Sequence, residues 1–385
     1  MSAVRIGVVI PLYNHGTSVG DVARRTLAHC PHVLVVDDGS TDNGTAALAD
    51  LPVQVLRLPV NRGKGAALLA GAAALEAAGM SHMIALDADG QHYPEDLPLI
   101  LAAIAATPHA FIVGARDFSV PNVPGASRFG RRFSTFWMFV QTGQRVSDMQ
   151  SGFRVYPLDA LRCLRLREHR YAFEIEVLVQ AAWAGFAIRE VPIRVHYPRR
   201  EERVSHFRPW ADNVRISLLN TRLTMRALLP LPFRRHALDA EGRISLLSPL
   251  ASLRLLLKSS SPAQLALSAG VAMGICTLPL LGLQSILLLY AINALGLNRL
   301  CALAIVPLSW LPLLPGLCVL VGYRLRYGAW LTEFSLQTLG HEAGQRLWEW
   351  VIGSCALAPV TTVAFALLVG CMAHGIAATA QQERV

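Results

Sequence analysis

The seven cysteines include no CxxC pair and no Cys/His set at zinc-ligand spacing, which excludes a zinc-stabilised module. Five of them, Cys276, Cys301, Cys318, Cys355 and Cys371, fall in the apolar half of the chain and read as small buried hydrophobes. Charge is sparse too: 16% of the 385 residues are Asp, Glu, Lys or Arg, against 53% hydrophobic, yet the balance is a net +9. No Lys/Arg-rich run interleaved with aromatics occurs, and no helix-turn-helix, zinc-finger or single-strand-binding signature, so nucleic acid is not expected as a partner. The basic excess points instead to anionic lipid or a phosphate-rich substrate. A charged n-region, apolar h-region and cleavage site are missing ahead of VRIGVVI, so the first domain is expected to stay in the cytosol.

What is present divides in two. Residues 1–212 mix charged, apolar and turn-forming types and read as a catalytic-type α/β domain. Residues 213–261 read as an amphipathic helix and basic connector, and 262–385 as a helical membrane domain with two to four crossings. Residues 263–298 carry no charge, more than the roughly 20 residues that cross a bilayer, but Pro279 and Gly282 interrupt them, as a helical hairpin or re-entrant pair would require. In 213–229, Arg215, Arg222 and Arg226 share one helical face and Ile216, Leu219 and Leu223 another. That suits either a helix on an anionic membrane surface or one packed on its own domain. Basic residues concentrate in the connector and at Arg324 and Arg326, which by the positive-inside rule places the connector in the cytoplasm. The expectation is a multi-pass protein of the inner membrane with its first domain facing the cytosol.

In the first domain, apolar β-branched runs at 4–10, 32–36, 53–58, 82–86 and 110–115 alternate with helix-like segments at 64–78 and 95–105. This is the rhythm of a mostly parallel sheet. Ligands bind beyond the carboxyl ends of such strands. Polar clusters fall at those ends: Tyr13-Asn14, Asp37-Asp38-Gly39-Ser40, Asp87-Ala88-Asp89-Gly90-Gln91 and Arg116. Each alone is also ordinary turn or cap chemistry. Carboxylates and an amide oxygen on one rim, however, suit Mg2+ or Mn2+, hard cations that prefer oxygen ligands and leave positions for a diphosphate.

IPLYN, VVDDGSTD, NRGKGAA, ALDADGQHYPED, GAR and SGFR, in this order across residues 4–210, resemble the family-two glycosyltransferases of the GT-A fold, in particular the dolichyl-phosphate mannose synthase-like branch. The resemblance implies a Rossmann-like catalytic domain that takes a UDP- or GDP-linked sugar and a lipid acceptor in the membrane. It implies Pro11, Tyr13, Asp37, Asp38, Lys64 and Asp87 around the nucleotide donor, with Asp89 and Gln91 on the metal, and Arg203 and His206 of a loop that closes over the pyrophosphate. Asp87, Asp89 and Arg116 stand at the reacting centre. The acceptor phosphate would be gripped by Arg116, one of Arg131 or Arg132, and Ser134, since a guanidinium meets phosphate oxygens bidentately. A phosphate acceptor is already an anionic nucleophile at neutral pH and needs no base. A hydroxyl acceptor would need one, with Asp148 first in position and Glu174 or Glu176 behind it. A scaffold that binds nucleotide sugar or lipid without turnover is the reading from another class. The C-terminal region resembles an uncharacterised bacterial membrane domain that often follows such transferases, and the match implies no role for it.

Overall fold

The computed structural model describes residues 4–120, 123–197, 208–229, 260–280, 282–309, 312–332 and 343–382. The chain divides into two compact units, Met1–Leu223 with Phe233–Asp239, and Thr224–Pro232 with Ala240–Val385.

The first unit is built on a seven-stranded sheet: β1 (Ile6–Leu12), β2 (Val33–Asp37), β3 (Gln54–Arg57), β4 (His82–Ala85), β5 (Phe111–Arg116), β6 (Arg154–Pro157) and β7 (Ile188–Ile193). Their order in the sheet is β3-β2-β1-β4-β6-β5-β7. All pairings are parallel except those of β6, which runs antiparallel to β4 and β5. The expected strands are present within two residues, and the sheet is mostly parallel and Rossmann-like, as anticipated for a GT-A domain. β6 and β7 had no counterpart in the sequence reading.

β1, β2 and β4 are continuous apolar runs because both faces of the sheet are covered. Alternate residues serve opposite cores: Val9 packs under α2 (Lys64–Ala77), α6 (Phe173–Trp183) and α7 (Pro209–Leu228), whereas Val8 and Ile10 pack with α1 (Gly16–Leu27) and α3 (Leu97–Ala106). Helices α4 (Gly125–Thr142) and α5 (Leu158–Cys163) complete the first of these layers. Ile216, Leu219 and Leu223 of α7 lie in that core, while Arg222 pairs with Glu168 and Glu176 and Arg215 with Asp212. Of the two readings of this helix, packing on its own domain is the one realised for its Ile216 face.

In the second unit the described residues form helices α8 (Pro262–Thr277), α9 (Gln284–Leu295), α10 (Arg299–Ser309), α11 (Leu313–Tyr327) and α12 (Ala343–Gln382). The uncharged run breaks between α8 and α9, where Pro279 and Gly282 stand. Among the described residues one helix, Ala343–Ile376, is long and apolar enough to cross a membrane. Two to four crossings were expected; the shorter apolar helices α8 and α9 are separated at Pro279 and Gly282, and α9 ends at Gly296, which takes a left-handed conformation (φ +61°). Gly270 and Gly274 of α8 bring it against Thr362 and Ala366 of α12, and Gly322 of α11 faces the Glu349 carbonyl of α12. Cys276 and Cys318 are buried in this packing and Cys301 is half-buried, but Cys355 and Cys371 are exposed on α12, contrary to expectation, because the other described helices cover only part of its circumference.

Candidate functional site

A cleft of about 410 Å³ opens at the carboxyl edge of β1, β2 and β4 and is lined by Pro11, Tyr13, Asp38, Lys64, Asp87 and Asp89, among others. These expected donor residues therefore converge. Asp37 does not join them. It is fully buried, accepts a hydrogen bond from the Ser40 amide (2.8 Å) and lies 3.2 Å from Arg57 Nε, so it holds the turn after β2. Asp38 borders the cleft, but its two oxygens accept from the amides of Arg62 and Gly63, each at 2.7 Å. Its first task is to shape the loop that delivers Lys64. Both departures share one cause: a carboxylate at a strand end meets unpaired loop amides before any ligand arrives.

Lys64 Nζ lies 2.6 Å from Asp87 Oδ1 and 2.6 Å from Glu174 Oε1. Burial opposes its charge, but the two carboxylates outweigh that and raise its pKa. Burial likewise works against Asp87, and Lys64 overcomes it and holds the acid below the usual carboxylate range. Asp89, buried beside Asp87, is pushed up to about 6. His92, whose Nε2 is 3.9 Å from Asp87 Oδ2, is lowered by burial to about 4 and so is a neutral neighbour. Two like charges, one of them resisting ionisation, are the electrostatics of a site suited to a cation. Among the described residues no group of three or more His, Cys, Asp or Glu side chains converges on a metal position. Asp87 and Asp89 thus fit a divalent ion that takes its remaining oxygens from a diphosphate and water. Gln91 does not line the cleft; its amide donates to Asp89 Oδ1 (3.0 Å) and its carbonyl accepts from the His196 amide (2.8 Å).

β6 enters the sheet at this same edge, with Arg154 opposite both Ala85 and Val113, so the segment 148–153 is carried onto the rim beside Asp87. Gly152 sits so close that a Cβ there would collide with the Asp87 carboxylate. Arg154 is almost wholly buried and donates to the carbonyls of Met149 (2.6 Å), Ser151 (2.6 Å) and Glu174 (2.5 Å). It ties this segment to the start of α6.

Next along the rim, Arg116 donates to Asp148 through Nε (2.7 Å), Nη2 (2.8 Å) and its own amide (3.2 Å). Burial would raise the Asp148 pKa, but Arg116 outweighs it and keeps the carboxyl below its ordinary value. Asp148 is therefore the anchor of Arg116 and not a free base. Arg131 stands with Arg116: both guanidinium groups lie over the Phe118 ring, at 4.5 and 5.1 Å from its centroid, and Arg131 Nε donates to the Ser147 carbonyl (2.6 Å). Arg132 is exposed and makes no part of this group. Ser134 is buried, and its hydroxyl accepts from Gln150 Nε2 (3.2 Å). Arg203 and His206 lie outside the described residues.

The model of the family described as glycosyl transferase family 2 matches residues 7–165. Polyprenol monophosphomannose synthase of Mycolicibacterium smegmatis is 34% identical over 205 residues, which cover 48% of this chain and 75% of that protein. The chain belongs to glycosyl transferase family 2. Undecaprenyl-phosphate mannosyltransferase of Micrococcus luteus is 30% identical to this family-2 glycosyltransferase over 203 residues, 49% of this chain and 83% of the relative. UDP-N-acetylglucosamine–dolichyl-phosphate N-acetylglucosaminyltransferase of Methanococcus voltae is 29% identical over 215 residues, 50% of this chain and 86% of the relative.

The glycosyltransferase also places Asn61, Arg170, Tyr171 and Arg208 in the wall of the cleft, none of which the sequence reading named. Arg170 and Tyr171 arrive on a loop whose His169 carbonyl accepts from the Ala66 amide (3.0 Å), and Gly63, at φ +99°, leaves room for that loop. The glycine in NRGKG was the available signal, since a residue in this conformation marks a close backbone approach.

Proposed function

We propose that the enzyme transfers a sugar from a nucleoside diphosphate, UDP- or GDP-linked, to the phosphate of a membrane polyprenol, with inversion at the anomeric carbon. The observation that favours a phosphate over a hydroxyl acceptor is the state of the three carboxylates available as a base. Asp148 is held by Arg116, Glu174 by Lys64, and Glu176 by Arg222 and the amides of Arg167 and Glu168. Each is already paired with a basic side chain, whereas a phosphate oxygen has no proton to give up at neutral pH, its second pKa being about 6. The names of the relatives, polyprenol and undecaprenyl-phosphate transferases, support the same acceptor class.

In this reading Arg116 and Arg131 hold the acceptor phosphate, and Asp148 fixes the Arg116 fork so that little ordering remains on binding. The phosphate oxygen forms the new bond to the anomeric carbon while the bond from that carbon to the donor diphosphate breaks, its electron pair leaving with the nucleoside diphosphate. No proton moves. Lys64 lies against the departing diphosphate from the N-terminus of α2, and Asp38 keeps the loop around it in place. A divalent cation held by Asp87 and Asp89 would supply further neutralisation of that leaving group. The helix Ala343–Ile376, by length and composition, supports attachment to the membrane that contains the acceptor, and the basic residues of the connector and Arg324 and Arg326 favour the cytosolic side for the catalytic unit.

The test is turnover by the full chain in detergent, using a panel of UDP- and GDP-sugars with polyprenyl phosphate, polyprenol or diacylglycerol as acceptor. The expected product is an inverted sugar phosphoprenol, formed only with a divalent cation. Efficient glycosylation of polyprenol or diacylglycerol and none of the phosphate would overturn the assignment.

A further inference from the structure

Lys64 is the first residue of α2, where the positive end of the helix dipole disfavours a cation. It is held there by two acids from different elements, Asp87 after β4 and Glu174 in the first turn of α6, each 2.6 Å from its Nζ. Asp87 is one of the pair that fits a divalent cation. Lys64 and such a cation therefore compete for the same carboxylate, and a lysine drawn wholly onto Asp87 would neutralise the site that the cation needs.

We propose that Glu174 is a positioning residue that draws the Lys64 ammonium partly away from Asp87, so that Asp87 stays available to the cation while Lys64 faces the donor diphosphate; this rests on the donor site described above.

The surroundings of Glu174 are built to hold it. Its side chain is buried, and its backbone carbonyl is fixed by the buried Arg154. The helices that carry the two partners meet at their immediate neighbours: a Cβ on Gly65 would lie 2.6 Å from Phe173 Cβ, so no other residue at 65 lets α6 come as near to α2. The Ala66 amide donating to the His169 carbonyl (3.0 Å) closes the same junction from the loop before α6. Lys64 and Glu174 are thus kept within reach by main-chain packing. Two acids, Asp87 and Glu174, share the one ammonium, so Asp87 does not have to neutralise Lys64 alone.

The experiment titrates Mn2+ into the full chain in detergent, once with saturating UDP and once with GDP, by calorimetry. It compares wild type, Glu174→Gln, Lys64→Met and the double variant, with the thermal midpoint of each recorded. Glu174→Gln is expected to weaken Mn2+ binding about tenfold, and the double variant to bind within about twofold of Lys64→Met, because the effect passes through the lysine. Equal losses in both backgrounds, or no loss in either, would overturn the inference while leaving the donor site standing. Absence of Mn2+ binding by wild type with both nucleotides would overturn the donor site and this inference with it. If Glu174→Gln lowers the midpoint, Glu174→Asp, which keeps the charge and shortens the reach, replaces it, and its smaller loss must likewise vanish in Lys64→Met.

Discussion

Arg116 and Asp148 meet through two parallel side-chain hydrogen bonds, Nε to Oδ2 at 2.7 Å and Nη2 to Oδ1 at 2.8 Å, on the part of the rim proposed to hold the acceptor. The pair is buried, Asp148 completely so. Removing one partner of such a pair leaves an uncompensated buried charge, typically a cost of about 3–5 kcal/mol, whereas removing both costs far less. Asp148→Asn should therefore lower the thermal midpoint and abolish transfer to a phosphate acceptor, and Arg116→Met with Asp148→Asn should recover midpoint without activity. Thermal unfolding of wild type, Asp148→Asn, Arg116→Met and the double variant, alongside turnover, checks this. A midpoint unchanged in Asp148→Asn would contradict it.

The pH profile should follow the acceptor phosphate and Asp89, which is pushed up to about 6, and not Asp148. Asp148 is held below its ordinary value, so its contribution to stability is fully present above the unfolded value of about 3.9 and is lost only as the pH falls further. Between pH 8 and 5 it stays ionised. The second ionisation of the acceptor phosphate, near 6, falls inside that window. kcat/KM is expected to decline below about pH 6 while the thermal midpoint shows no step attributable to Asp148.

Gly152→Ala is expected to damage the donor side from the acceptor side. Its Cβ would occupy the place of the Asp87 carboxylate and push that acid off Lys64. Displacements on the order of 1 Å at a reacting centre cost about a hundredfold in rate. Steady-state kinetics should register that loss together with weaker nucleotide-diphosphate binding.

Arg131 and Arg132, adjacent in sequence, should separate sharply. Arg131→Ala loses the Phe118 stack and the Ser147 carbonyl bond, together with the proposed phosphate contact, and should raise the acceptor KM about tenfold or more. Arg132→Ala, at an exposed position, should change it less than about twofold. Titration of polyprenyl phosphate at saturating donor distinguishes them.

In the second unit, Gly322→Leu should break the approach of α11 to α12, since any side chain at 322 meets the Glu349 carbonyl. Stability of the full chain in detergent should fall while the UDP or GDP affinity of the catalytic unit is retained, as nucleotide titration would register.

The sequence alone determined the parallel half of the sheet and the place of the site. Apolar runs such as VRIGVVI specify strands buried on both faces, and the polar residues that end them are fixed at the carboxyl edge by connectivity. Asp87, Asp89 and Tyr13 were legible for that reason, whereas Pro11 and Lys64 came from the resemblance of IPLYN and NRGKGAA to the family. Period and local chemistry do not say what a side chain meets from a distant part of the chain. Only tertiary structure decided that Asp37 serves a turn, that Asp148 is occupied by Arg116, and that Arg131 rather than Arg132 faces Phe118. The reversed strand β6 is the physical cause of most of this. Entering the sheet antiparallel between β4 and β5, it carries 148–153 to the rim where Asp87 already stands, and its Arg154 binds that segment to α6 and Glu174.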